Sequence, residues 1–233
     1  MNASCKWKGF FRGCATRKKY RFWIFASHNI IPMIHHTTEH QNLFGLFATL
    51  QSKDDYTYRH NLGVGVISTL IGQWLDMEES DLSELTMAAT LHDVGKVKIP
   101  LDILNKPGKL TDEEYAMMKK HAEFGYEIIK QTPGTNHRQA LVALQHHERQ
   151  DGSGYPHGIQ SSDIDLFSRI IAVADIFHAM SSRRSYRNAS PFYDILRQMQ
   201  NDTFGALDPE ITRLFLGKIM QSLIGNEVLL VVI

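Results

Sequence analysis

Cysteine, charge of one sign and long apolar runs are what this sequence has least of. Its 233 residues include 2 cysteines, Cys5 and Cys14, both near the N-terminus. Thiols so placed build no disulfide framework and leave none for a structural zinc site further along, so a reducing compartment, the cytoplasm, is expected. Lys+Arg and Asp+Glu are equal at 25 each, a formal net charge of +0. Without a basic excess, bulk electrostatics gives no reason to expect a nucleic-acid polymer as partner. The apolar stretch 22–34 is interrupted by His28, Asn29 and Pro32. It is too short to span a bilayer, which takes about 20 apolar residues; a signal peptide stays open as an alternative, though a clean apolar segment is missing. There is no internal repeat and no low-complexity tract, and nothing before the last seven residues alternates like a strand.

What is present is a globular composition, 43% hydrophobic and 21% charged, enough for one large core or for a core plus a small appendage. The appendage is residues 1–43, whose first part is basic and aromatic (Lys6, Trp7, Lys8, Phe10, Phe11, Arg12, then Arg17 to Trp23). The favoured reading is a remnant or linker, the alternative a surface segment for anionic lipid. Residues 44–225 are expected as one all-α domain, and residues 226–233 as a strand-like tail stopped mid-course.

Helical periodicity dominates the middle. Thr57 to Leu75 carries an apolar face at Val64, Ile67, Ile71 and Trp74, with His60 one turn before it. Asp81 with Glu84 reads as a capping box for a helix burying Leu82, Leu85 and Ala89, with His92 next on that face and Gly95 ending it. A loop over 94–110 follows. Thr111 with Glu114 opens a helix packing Tyr115, Met118, Ala122 and Ile129, with His121 beside the stripe, until Pro133-Gly134. A short helix from Arg138 reaches His146-His147, a loop covers 149–162, and Asp165 to Ser182 is apolar on most sides except at Asp175. Two more helices are expected near Phe192–Gln200 and Glu210–Ile224.

The most informative stretch is His146-His147-Glu148-Arg149-Gln150-Asp151-Gly152-Ser153-Gly154-Tyr155-Pro156. Adjacent helical histidines point about 100° apart, so the pair means little alone. A second cluster, His92-Asp93-Val94-Gly95-Lys96, gives it meaning. His60, His92, Asp93, His121, His146, His147 and Asp175 lie on or beside core-facing stripes. For any one of these histidines a hydrogen-bonded core imidazole is the simpler reading. For the set it is not, because Asp93 and Asp175 in apolar surroundings are costly without a cation. Imidazoles with carboxylates suit first-row divalent metals better than magnesium. Such a pair of metals does chemistry on phosphates, and Lys96 would put a cation beside a phosphate oxygen.

His92-Asp93 with Gly95-Lys96 resembles the HD superfamily of metal-dependent phosphohydrolases. With His146-His147-Glu148, Asp151-Gly152 and Gly154-Tyr155-Pro156 the likeness narrows to the HD-GYP subgroup, and Asp55-Tyr56-Thr57 and Ala174-Asp175 followed by Arg184-Ser185-Tyr186-Arg187 extend it. The resemblance covers about 44–230 and implies a helical bundle around a buried dinuclear site. It implies hydrolysis of cyclic di-GMP to pGpG or GMP by a hydroxide shared between two divalent metals, iron or manganese first, with nickel, cobalt or zinc as alternatives. His60, His92, Asp93 and Asp175 would hold one metal, and Asp93 would bridge to a second held by His121, His146 and His147. Lys96 would assist at the phosphate, Tyr155 would contact the ligand, and Arg184 and Arg187 would clamp phosphate or guanine, which suits a planar guanidinium.

The sequence departs from that pattern at three places. Tyr56 stands where some members have a glutamate for a third metal, so two metals are expected. His178 stands where an acid three residues past Asp175 is usual. It could partner Asp175, but a substitution tolerated on the helix flank is preferred. Ser185 replaces a proline. Glu148 reads as a supporting or helix-orienting residue, His157 as bordering the cleft, and His28, His35, His36, His40 and His137 as solvated. Two rivals stand beside the phosphodiesterase: a hydrolase of another nucleotide, and a non-catalytic module that binds cyclic di-GMP or a diguanylate cyclase through the Gly-Tyr-Pro loop. Whether the chain is a homodimer is open.

Overall fold

The computed structural model describes residues 31, 32, 34, 56–181, 192–202 and 205–223. Arg184, Ser185, Arg187, most of the basic N-terminal segment and the expected C-terminal strand lie outside them. The fold is all-α: α1 (Tyr56–Trp74), α2 (Glu79–Leu91), a 3-10 turn (Val94–Lys98), α3 (Leu101–Leu104), α4 (Asp112–Lys119), α5 (His121–Lys130), α6 (His137–Gln145), a second 3-10 turn (Ser161–Asp163), α7 (Leu166–Ser181), α8 (Phe192–Asp202) and α9 (Pro209–Leu223). No helix among the described residues is long and apolar enough to cross a membrane.

α1 is buried on two sides, and this organises the rest. Val64, Ile67 and Ile71 face a cluster with Leu85 of α2, Phe167, Ile170, Ile171 and Phe177 of α7, and Phe215 of α9. Val66 and Leu70 face a second cluster with Met87, Leu91, Ile129, Ala140 and Ala143, and Ile34, upstream of the expected boundary at 44, is buried there too. Each full burial of such a side chain contributes about 1.5–3 kcal/mol, so α1 is locked in azimuth and His60 with it. α7 is buried over most of its surface (Phe167, Ile170, Ile171, Val173, Ala174 and Phe177 among others), as its nearly continuous apolar run requires.

Helix ends follow partly from expectation. Thr111 and Glu114 form the expected capping box on α4. Asp81 and Glu84 do not: α2 starts at Glu79, which puts both inside the helix, and Glu84 accepts from the Asn136 side chain instead. Asn136 and Gln139 build an unforeseen capping box on α6. The single helix expected over 111–132 is two, interrupted at Lys120. Tyr115, assigned to the core, is 49% exposed, and none of the residues of α4 is buried. The expected loop over 94–110 contains the 3-10 turn and α3.

Two side chains tie the later helices to the site. Gln145, the last residue of α6, accepts from the Asp165 N–H at 3.0 Å and donates to Asp163 O at 3.2 Å. Asp208 accepts from the Glu210 and Ile211 N–H groups at the start of α9 and from Arg169 of α7.

Candidate metal centre

α2 ends at Leu91, His92 keeps α-helical angles as its cap, and Asp93 turns the chain into the 3-10 turn. Gly95 does not cap α2, since it is not among the positive-φ glycines. Its role is close approach. A Cβ there would overlap the His121 carbonyl oxygen and lie 2.5 Å from Gly125 N. The missing side chain lets α5 rest on the turn after Asp93 and delivers His121 to the cluster.

The structure brings all seven candidates together around Asp93. Its Oδ2 lies 3.4 Å from His92 Nε2 and 3.7 Å from His60 Nε2. Its Oδ1 lies 3.4 Å from His121 Nε2 and 3.8 Å from His146 Nε2. His60 Nε2 is also 3.0 Å from Asp175 Oδ1. Ligand atoms of Asp93, His121, His146 and His147 fall within 4.8 Å of one another, as do those of His60, His92 and Asp93. Asp93 is common to both groups, one oxygen toward each.

This donor set fits divalent cations. Asp93 Oδ1 and His92 Nε2 are buried with no hydrogen-bond partner, a cost of about 1–3 kcal/mol each unless something coordinates them. The outer nitrogens are already committed: His92 Nδ1 donates to Ala89 O at 2.7 Å, His121 Nδ1 to Met118 O at 2.7 Å and His146 Nδ1 to Ala143 O at 3.0 Å. Each Nε2 lone pair therefore faces the cluster, as in metal-ligating histidines.

Charge follows burial and neighbours. Burial, then adjacent imidazoles, hold His146 and His147 well below the ordinary histidine pKa. Burial also lowers His60 and His121. In His92 burial is the largest single influence, but the Asp93 charge and hydrogen bond, the Asp175 charge and the Ala89 carbonyl together outweigh it and the pKa rises. Burial would raise Asp93, but Lys96 and His92 outweigh it and hold its carboxyl well below the usual range. His60 does the same for Asp175. The result is anionic carboxylates among mostly neutral imidazoles, the state in which these groups ligate metals. Lys96, at the mouth of the cluster, sets Nζ 2.5 Å from Asp93 Oδ2.

The Gly-Tyr-Pro segment folds over the same site. A Cβ at Gly154 would lie 2.5 Å from His147 O, Glu148 Cα and Arg149 N, so only glycine lets the loop pass this near. Tyr155 N–H donates to His147 O at 3.2 Å, and its ring stacks on His147 with centroids 4.6 Å apart. Burial raises the Tyr155 phenol pKa, so it stays a neutral donor. Glu148 does not orient its helix. It is buried, and its carboxylate accepts from the N–H groups of His157 at 2.8 Å and Ile159 at 3.2 Å, holding the loop shut. His157 and His137 are exposed.

One feature corrects the sequence reading and another was not marked by it. His178 is not on a tolerant flank: it is 3% exposed, and its Nδ1 meets His60 Nδ1 at 3.0 Å. The signal was there, since an imidazole one turn from Asp175 on an otherwise apolar helix shares Asp175's face. Lys119 sits 5.2 Å from the Tyr115 ring and 5.9 Å from the Tyr155 ring, a rim that no periodicity marked.

The family model for the HD domain matches residues 46–211, a span holding all seven clustered residues. A cyclic di-GMP phosphodiesterase of Thermotoga maritima is 40% identical over 185 residues, 77% of this chain and 50% of that protein. A 3′3′-cGAMP-specific phosphodiesterase of Vibrio cholerae is 40% identical over 162 residues, 69% of this chain and 35% of that protein. This chain thus spans about half, or less, of the length of these relatives. Among solved structures, an HDG"Y"P protein from Bdellovibrio bacteriovorus superimposes with a TM-score of 0.73 at 17% identity, covering 92% of this chain and 67% of that one, a likeness of fold. With the His-Asp pair, the clustered histidines and the Gly-Tyr-Pro loop at one place, the chain belongs to the HD domain family, in its HD-GYP branch.

Proposed function

We propose that this chain is the hydrolytic domain of a metal-dependent phosphodiesterase that opens cyclic di-GMP to pGpG, GMP or both. The observation that carries the reading is the Asp93 carboxylate, shared between two groups of donors with one oxygen buried and unpartnered. His60, His92, Asp93 and Asp175 would hold one cation, and Asp93, His121, His146 and His147 the other. Iron and manganese head the order, with nickel, cobalt and zinc behind. When bound, the cations supply Lewis acidity that activates water and neutralises charge developing at phosphorus.

The protein's own part is placement. Backbone carbonyls behind His92, His121 and His146 fix the donors before substrate arrives. Lys96 is in reach of a phosphoryl oxygen lying over Asp93, and its ammonium stabilises the negative charge that grows there. Tyr155, stacked on His147, offers a hydroxyl and a ring face to the nucleotide at the loop edge. Arg184 and Arg187 are proposed as clamps from the sequence pattern alone.

Phosphodiesterases of cyclic dinucleotides are the named relatives, and one at 40% identity is 3′3′-cGAMP-specific. That favours a second reading, in which the mixed dinucleotide is the preferred substrate. The test is turnover of cyclic di-GMP and 3′3′-cGAMP by metal-loaded protein, with products separated, for wild type and Asp93→Ala. Loss of both hydrolyses in the variant is expected. Wild-type rates in Asp93→Ala would remove the assigned centre, and a strong preference for 3′3′-cGAMP would shift the substrate to the second reading.

A further inference from the structure

We propose that His178 is a positioning residue whose hydrogen bond to His60 reverses direction when a cation occupies the site. The inference rests on the metal-centre reading above.

Three histidines of the cluster lean on backbone carbonyls, which can only accept: His92 on Ala89, His121 on Met118 and His146 on Ala143. Their Nδ1–H is fixed whether or not a cation is bound. His60 is different. Its Nδ1 lies 3.0 Å from Nδ1 of His178, with ring centroids 5.1 Å apart. An imidazole nitrogen donates or accepts according to its tautomer. His178 reaches this place from α7, one turn past Asp175, where Gly63 of α1 leaves the room, since a Cβ there would overlap the His178 ring.

The opposite edge of His60 decides which nitrogen donates. His60 Nε2 faces Asp175 Oδ1 at 3.0 Å and Asp93 Oδ2 at 3.7 Å. Without a cation, the carboxylate needs a donor, so Nε2 holds the proton and Nδ1 accepts from His178 Nδ1–H. With a cation, Nε2 must offer its lone pair, so Nδ1 holds the proton and donates to His178. The exchange is proton-neutral. His60 Nε2 releases one proton, the proton between the Nδ1 atoms moves from His178 to His60, and His178 Nε2 takes one up, so the number bound is unchanged. A carboxylate at position 178, the residue type the sequence pattern leads one to expect, could only accept and would favour the loaded state alone. His178 satisfies both states, so this chain should hold one cation less tightly than a variant with an acid there.

The test uses Zn2+ as a diamagnetic probe on the full chain, with no nucleotide. Ring-nitrogen NMR of 15N-histidine-labelled protein reads the tautomers, and chelator competition reads affinity. Expected are His60 Nε2–H and His178 Nδ1–H without Zn2+, and His60 Nδ1–H with His178 Nε2–H when loaded. Affinity at the His60 site should fall about 10–100-fold in His178→Ala and meet or exceed wild type in His178→Asp. If His178→Ala does not fold, the wild-type spectra and His178→Asp decide. Tautomers that do not exchange, Zn2+ ligated by His178 itself, no Zn2+ binding by wild type, or unchanged affinity in His178→Ala would each overturn the proposal. Zn2+ binding with the expected spectra but no cyclic di-GMP hydrolysis would leave it standing while removing the substrate assignment.

Discussion

Gly95→Ala adds one methyl group to the motif and should cripple the site through the backbone. The new Cβ would overlap the His121 carbonyl oxygen and lie 2.5 Å from Gly125 N, where ordinary contact begins near 3.4 Å. Neither neighbour is a flexible side-chain end, so α5 and the 3-10 turn must part by about 1 Å. Overpacking of this kind costs about 1–3 kcal/mol. For a domain of this size, about 2 kcal/mol is roughly 4–8 °C in Tm. His121 rides on the displaced backbone and its Nε2 stands 3.4 Å from Asp93 Oδ1, so the second group of donors opens. A misplacement of about 1 Å can cost roughly 100-fold in rate. Gly217→Ala is the control: it lies on α9 with nothing within 4 Å of its added Cβ, and alanine in a helix should stabilise by about 0.8–1 kcal/mol. The assay is thermal unfolding with metal stoichiometry and cyclic di-GMP turnover on both variants. A Gly95→Ala protein with wild-type Tm, full metal content and full turnover would refute the packing argument.

Lys96→Met should lower kcat by about 100-fold or more while metal content holds, since it deletes one charge at the phosphate and no ligand; unchanged kcat would place the ammonium elsewhere during the reaction. Glu148→Gln should destabilise by about 1.5–3 kcal/mol, because one of the two backbone donors it receives would face an NH2 group. The loosened loop should raise KM more than it lowers kcat, and the steady-state parameters decide. Metal-free protein should lose stability as pH falls below 6.5. The histidines whose folded pKa is lowered from that value (His60, His121, His146 and His147) take up protons only in the unfolded chain. Each contributes a loss of up to about 1.4 kcal/mol per pH unit. His92, raised, opposes them. Asp93 and Asp175, lowered well below 3.8, add stability that is complete above 3.8 and fades only as pH falls below it. Urea midpoints with EDTA at pH 7.5, 6.0 and 5.0 check the sign, and a midpoint that rises toward pH 5.0 contradicts it.

The fold was legible where burial follows period. Val64, Ile67 and Ile71 are spaced for one face of α1 and all are fully buried; the near-continuous apolar run of α7 reads as a central helix and is one. Legibility was uneven at helix ends: Thr111 and Glu114 cap α4 as expected, and others do not. Asp81 and Glu84 match a capping box by residue type, yet a box works only if the helix starts between them, and α2 starts earlier. Gly95 looks like a terminator because glycine ends many helices. Here its lack of a side chain is used against a neighbouring carbonyl, and a contact between segments distant in sequence leaves no local trace.

The site divides along the same line. Candidate donors were readable one by one, because an imidazole or carboxylate in an apolar stripe is a residue-type anomaly visible in a string of letters. What aims them was not: Ala89, Met118 and Ala143 act through their carbonyls, which every residue possesses, so no choice of side chain advertises them. His178 lies between these cases. Its letter was anomalous, but a search along its own helix pairs it with Asp175, whereas its partner is His60 on α1. Two residues flanking one imidazole from opposite edges need not touch each other. A departure from a sequence pattern near a metal site is therefore better tested against the ligand's outer nitrogen than against the nearest acid. By that test His178 is a change of hydrogen-bond chemistry, from a group that only accepts to one that can do either.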